Sequence, residues 1–152
     1  MMATAGESPQ RYQIGTVAEM TALSIQTLRH WDEVGLVPPS ERSEGGFRLY
    51  SDVDVQRLLV IRRMKPLEFT LEEMGRLLDS IDLLADPASA ESERMAAAEY
   101  IRECHRRARD AIQRLRKRLA YAEELTEMLA HQAEGLGAAA ADSQAGIGRP
   151  RA

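Results

Sequence analysis

Four side chains able to exchange hydrogen bonds follow closely on one another in the segment Ser24-Ile-Gln-Thr-Leu-Arg-His-Trp: Gln26, Thr27, Arg29 and His30. At helical spacing they lie on the side away from Leu28 and Trp31. There an arginine can donate to guanine edges or to a phosphate, and glutamine or threonine can do likewise. Ser24 stands at the start of this stretch and is grouped with them as a DNA-facing candidate. Further along, Arg42, Arg48 and Tyr50, then Arg62, Arg63 and Lys65, supply groups suited to a nucleic-acid backbone. A solvated surface would use the same residue types, so the reading depends on the fold gathering them on one face.

Other chemistries find less support. No Ser/His/Asp constellation or phosphate loop is present, and the three histidines stand apart at positions 30, 105 and 131, so an enzyme is not expected. Cys104 is the single cysteine; it cannot form an intrachain disulfide and lacks the further thiols of a zinc site. With His105 beside it, the expectation is a packed thiol and a pH-sensitive histidine, with neither metal nor cofactor. Trp31, at helical spacing from Leu28, is expected to anchor a core.

The elements that must position these groups are short. Ile14, Val17, Ala18 and Leu23 predict an amphipathic helix at about 15–21 and a turn ending at Ser24, a good N-cap. A second helix follows at about 25–34, and Gly35 supplies its left-handed stop. Two short helices joined by a tight turn are the helix-turn-helix signature. Pro38-Pro39 forbids helix, and Gly45-Gly46 before the alternating Phe47-Arg48-Leu49-Tyr50 predicts a hairpin, that is, a wing. Ser51 caps a third helix at about 52–66, and Thr70 with Glu73 forms a capping box for a fourth at about 71–81.

From Pro87 onward one pattern dominates. Ile101, His105, Ala108, Ile112, Leu115, Leu119, Ala122, Thr126 and Leu129 are separated alternately by four and three residues, the seam of a coiled coil. A helix over about 87–134 would span roughly 70 Å at 1.5 Å per residue and needs a partner. Residues 102–118 hold eight Arg or Lys against two acidic residues, whereas 119–134 hold four Glu and no Lys or Arg. An antiparallel pair would lay Arg114, Arg116 and Arg118 near Glu123, Glu124 and Glu127 of a second copy, so an antiparallel homodimer is expected. The small, Gly-rich stretch 135–152 and residues 1–11 are expected to be disordered.

Composition sets limits on all of this. The 152 residues are 44% hydrophobic and 29% charged, which leaves room for one domain, 12–81, plus an extended element. No run of about 18 apolar residues exists and residues 1–11 lack the apolar core of a signal peptide, so no membrane association is expected and the cytoplasm is the expected compartment. The net charge is −4, and residues 12–81 alone carry eight basic and eleven acidic residues, a net −3. Any nucleic-acid binding must therefore rest on local cation clusters. The same acidity motivates an alternative, a coiled-coil adaptor that binds polymerase or another regulator, with DNA binding secondary.

The segments Tyr12-Gln-Ile-Gly-Thr-Val-Ala-Glu, Ser24-Ile-Gln-Thr-Leu-Arg-His-Trp-Asp-Glu-Val-Gly-Leu-Val-Pro-Pro, Gly46-Phe-Arg-Leu-Tyr-Ser and Phe69-Thr-Leu-Glu-Glu resemble the MerR family of bacterial transcription regulators. The resemblance implies a mainly α fold, with a winged helix-turn-helix domain followed by a long dimerisation helix in an antiparallel coiled coil. It also implies a homodimer on double-stranded promoter DNA, acting by bending or untwisting the promoter spacer so that RNA polymerase can engage both promoter elements. Two departures fall at the expected second wing, Glu68 where many relatives have Gly, and Pro66 just before it; His30-Trp31 replaces the family's common Tyr-Tyr pair.

Overall fold

The computed structural model describes residues 9–146. In chain order these form β1 (Tyr12–Gln13), α1 (Ile14–Thr21), α2 (Ile25–Glu33), β2 (Glu41–Arg42), β3 (Arg48–Tyr50), α3 (Asp52–Met64), a 3-10 turn (Lys65–Leu67), α4 (Leu71–Ala85) and α5 (Glu91–Ala145). Packing divides the chain after Ala108 into two units.

In the first unit, α1 and α2 form the helix-turn-helix. Ser24 Oγ accepts from the Thr27 amide at 3.0 Å, the N-cap that the sequence signals. Gly35, at φ +72°, ends α2 as expected. The turn between the two helices places Ala22 in the left-handed region at φ 53°. Arg62 reaches back from α3 to donate to the Thr21 carbonyl at 2.6 Å, closing the end of α1.

The wing is a hairpin with a third strand. β2 pairs antiparallel with β3, and β3 also pairs with β1, with Tyr12 opposite Tyr50. β1 is too short to carry an alternation pattern, which is why the sequence predicts a two-stranded wing only. Gly46 takes φ +79° and donates to the Ser43 carbonyl at 2.8 Å, so the glycine pair does form the tight turn.

α3 and α4 both begin with capping boxes, Ser51 with Asp54 and Thr70 with Glu73. Asp54 is buried and also accepts from the Ser40 amide at 3.0 Å, tying the Pro38-Pro39-Ser40 entry of the wing to the start of α3. The core between these helices contains Val17, Leu28, Trp31, Tyr50, Leu58, Ile61 and Leu78, all buried. Trp31 is thus a core anchor, as expected. Pro66 sits in the 3-10 turn, where a missing N–H costs little, and Glu68 after it is left-handed at φ 62°.

α5 departs from its expected bounds. It continues through Ala145, so residues 135–145, expected to be a disordered tail, are helical. Ala is the strongest helix former, and the run Ala138–Ala141 carries the helix past Gly135 and Gly137. At the other end, Arg11, placed by expectation in a disordered N-terminus, is held by an ion pair to Glu41 at 2.7 Å. The rest of the disorder expected at 1–8 and 147–152 lies outside the described residues. Beyond Ala108 the seam positions Ile112, Leu115, Leu119, Ala122 and Leu129 are exposed.

Candidate nucleic-acid interface

Capping, packing and the wing fix what α2 can present. Leu28 and Trp31 are buried, so Gln26, Arg29 and His30 are exposed on the opposite side, with Ile25 and Glu33 also exposed. Thr27 is half-buried and its hydroxyl lies 2.8 Å from Ser24 Oγ, so the two hydroxyls serve the cap first. Ser24 accepts from the Thr27 amide and stays exposed at the N-terminal end of the helix.

The wing arginines are tied to this helix. Asp32 Oδ2 accepts from Arg48 Nε at 2.6 Å and from Arg42 Nη2 at 2.9 Å. Arg42 and Arg48 are cross-strand partners in the hairpin, so one carboxylate on α2 holds both. Hydrogen bonding to Asp32 raises the Arg48 pKa further above its usual value, and its guanidinium stays charged. The Arg48 side chain is 22% exposed, against 49% for Arg42. At the wing tip Phe47 is 68% exposed, an aromatic ring in solvent beside the Gly45-Gly46 turn. In the sequence Phe47 reads only as the apolar side of a strand, and Asp32 gives no signal because an acidic residue does not mark a cation site.

The remaining candidates separate. Tyr50, expected at DNA, is fully buried, and its hydroxyl has no hydrogen-bond partner among the described residues. Burial, then the nearby Asp32 carboxylate, push its pKa up. Arg48 and Tyr50 share one face of β3, the face turned to the helices: Arg48 reaches Asp32 there, and the Tyr50 ring fills volume in the core instead of facing outward. Lys65 places Nζ 5.6 Å from the centre of the Trp31 ring. Arg63 is exposed and lines a cavity of about 400 Å³ with Met64, Leu67, Leu77, Ile101 and His105, among whose walls no α2 or wing residue stands. The fold therefore gathers Gln26, Arg29, His30, Arg42 and Arg48 about α2 and the wing, and sets Arg63 apart.

A second polar cluster joins α4 to the first part of α5. Arg107 grips Glu73 with both terminal nitrogens at 2.7 and 3.1 Å, and its guanidinium lies 4.6 Å from the Phe69 ring. The hydrogen bonds from Arg107, then the capping bond from Thr70, hold the Glu73 carboxyl down at about 2. Tyr100 donates to the Glu73 carbonyl at 3.1 Å, and burial, then its contact with Cys104, push its phenol up to about 12. Cys104 is buried and burial raises its thiol. Its neighbour on the seam, His105, is exposed. Among the described residues no group of three or more His, Cys, Asp or Glu is placed to hold a metal ion, and no helix is long and apolar enough to cross a membrane.

Two short helices in a tight turn, a wing ion-paired to the second of them and a polar, cation-bearing face on that helix define a winged helix-turn-helix. The family model described as MerR HTH family regulatory protein matches residues 12–81. The transcriptional activator TipA of Streptomyces coelicolor is 46% identical over 76 residues, which cover 50% of this chain and 29% of TipA. The solved N-terminal part of the Bacillus subtilis multidrug transporter activator, MtaN, is 33% identical, with 71% of this chain and 97% of MtaN covered and a TM-score of 0.43. HiNmlR, a MerR family regulator lacking the sensor domain and solved bound to promoter DNA, covers 84% of this chain and 96% of its own, with 24% identity and a TM-score of 0.61, a likeness of fold. Through residues 12–81 the chain belongs to the MerR family of helix-turn-helix regulators. It spans less than a third of the length of TipA.

Proposed function

We propose that this chain is a sequence-specific DNA-binding transcription regulator that sits on a palindromic promoter operator as a homodimer. The observation that carries the reading is the exposed Gln26-Arg29-His30 face of α2, flanked by a wing whose two arginines are bound to the same helix. In an acidic protein such clustering of cations is what a DNA reader requires. Arg29 would read bases or position a phosphate, Gln26, Thr27, Ser24 and His30 would support it, and Arg42 and Arg48 would take the flanking backbone, with Lys65 and Arg63 further out.

Pairing is supported by the exposed apolar residues of α5 beyond Ala108. The basic stretch 102–118 and the acidic stretch 119–134 are complementary in an antiparallel pair of helices. Two half-site readers fixed at one separation would bend or untwist the spacer between promoter elements and so present the promoter to RNA polymerase, in the cytoplasm.

The test is selection from random duplexes followed by footprinting of the recovered site. A two-fold symmetric site is expected, bound with an affinity that falls steeply with salt. Binding indifferent to sequence overturns the reading. A dimer that shifts no promoter fragment at low salt but captures a protein partner supports a coiled-coil adaptor instead.

A further inference from the structure

Asp32 stands where a carboxylate is locally unfavourable. It lies in the last turn of α2, beside Glu33, where the helix dipole favours cations. Its side chain is only 12% exposed, so the contacts it makes are sheltered from bulk water. Across the hairpin Arg42 opposes Arg48, a like-charge pair that would otherwise repel. Both guanidiniums converge on the same oxygen, Asp32 Oδ2. Arg42 also donates through Nη1 to the Gly46 carbonyl at 3.4 Å, which links the carboxylate to the wing turn.

The way Arg48 is held matters. Asp32 takes Nε and not the terminal Nη pair with which a guanidinium grips a phosphate bidentately. Both cations are held by a residue one turn on from Arg29 on the same helix, which also carries the exposed Gln26 and His30. Two guanidiniums and one carboxylate leave a net single positive charge, so Asp32 lowers the gross attraction to DNA while fixing its direction.

We propose that Asp32 is a specificity-determining positioning residue: by locking Arg42 and Arg48 to α2, it makes the phosphates held by the wing set the register in which α2 meets the bases. The inference rests on the reading of residues 12–81 as a DNA-binding domain and adds the residue that couples backbone grip to base choice. Asp32 touches no DNA in this role. A carboxylate that merely neutralised spare cations would reduce binding to all sequences alike.

Asp32→Asn and Asp32→Glu distinguish these cases. Dissociation constants of the full chain are measured by fluorescence anisotropy for the selected operator and for a scrambled duplex of equal length, across a salt series. Asp32→Asn is expected to leave scrambled-duplex binding unchanged or tighter, with a salt slope steeper by about one, and to weaken operator binding roughly tenfold. Asp32→Glu keeps the charge and misplaces it, so it should leave scrambled binding unchanged and reduce the operator preference. Should Asp32→Asn fail to fold, Asp32→Glu alone decides. Equal factors on both duplexes, or an undiminished operator preference, overturn the proposal. A wild-type chain with no sequence preference overturns the DNA-binding reading itself, a separate and recognisable result.

Discussion

Leucine has opposite fates in the two halves of this chain. Leu28, Leu58 and Leu78 are buried among the helices before Ala108, whereas Leu119, Leu125, Leu129 and Leu136 on the later part of α5 are all more than half exposed. The first set closes a core with α1, α3, α4 and the wing; the second belongs to a stretch that, among the described residues, has no second element in its own unit. Apolar content therefore signals a core only where other elements meet it, and a 4-3 stripe without them signals a partner.

Truncating one leucine of each kind separates the two environments most strongly. Leu58→Ala should cost about 2–5 kcal/mol, because a buried side chain leaves a cavity that the surrounding helices only partly fill. Leu125→Ala, exposed and off the seam, should stay within about 0.5 kcal/mol. Urea unfolding followed by Trp31 fluorescence reads both. Equal effects would mean that the two halves are not different in kind.

On the seam itself the readout changes from folding to association. Leu119→Asp places a charge at a position that the paired-helix reading buries, and should weaken self-association by at least about tenfold in sedimentation equilibrium. The unfolding midpoint of the core, measured at low protein concentration, should not move. A wild-type chain that stays monomeric at all concentrations, or a variant that pairs as well as wild type, would show that the chain does not pair through this seam.

Much of this contrast is legible in the amino-acid sequence. Periodicity of 3.6 and 4-3 spacing identify all five helices, and the caps at Ser24, Ser51 and Thr70 fall where their side-chain chemistry puts them. Three things are hidden there. Tyr50 reads as outward because a phenol suits both a phosphate and a core, and only the packing of the helices against the small sheet decides which face is inward. The end of α5 is misplaced because glycines at 135 and 137 read as breakers while the alanines after them sustain the helix. Asp32 gives no sign because its role exists only through two arginines ten and sixteen residues away.

A smaller effect tests the polar joint in the first half. Glu73 titrates at about 2 instead of its ordinary 4.5, so the carboxylate stabilises the fold above pH 4.5 and that contribution is lost as pH falls from 4.5 towards 2. Because the pair is partly solvated, the contribution is about 1 kcal/mol, less than the shift alone would give. Glu73→Gln should remove this portion of the acid dependence in thermal melts over that window. The exposed pairs of Glu99 with Arg102 and Glu103 with Arg106 on α5 should contribute little, and unchanged acid dependence in Glu73→Gln would place the effect on other carboxylates.

A further, small effect concerns backbone conformation. Glu68 is left-handed at φ 62°, a conformation that costs a residue with a Cβ about 1–2 kcal/mol relative to glycine. Glycine gives back part of this through its larger freedom in the unfolded chain, so Glu68→Gly should stabilise the protein by about 0.5–1 kcal/mol in chemical denaturation. Glu68→Ala keeps the Cβ and the strain, and should show no such gain. A stabilisation shared by both variants would point to the removed side chain, and one confined to glycine to the backbone. The substitution lies in the turn between α3 and α4, so its effect should be confined to the half of the molecule that has a core. Self-association through α5 should be the same in Glu68→Gly as in wild type.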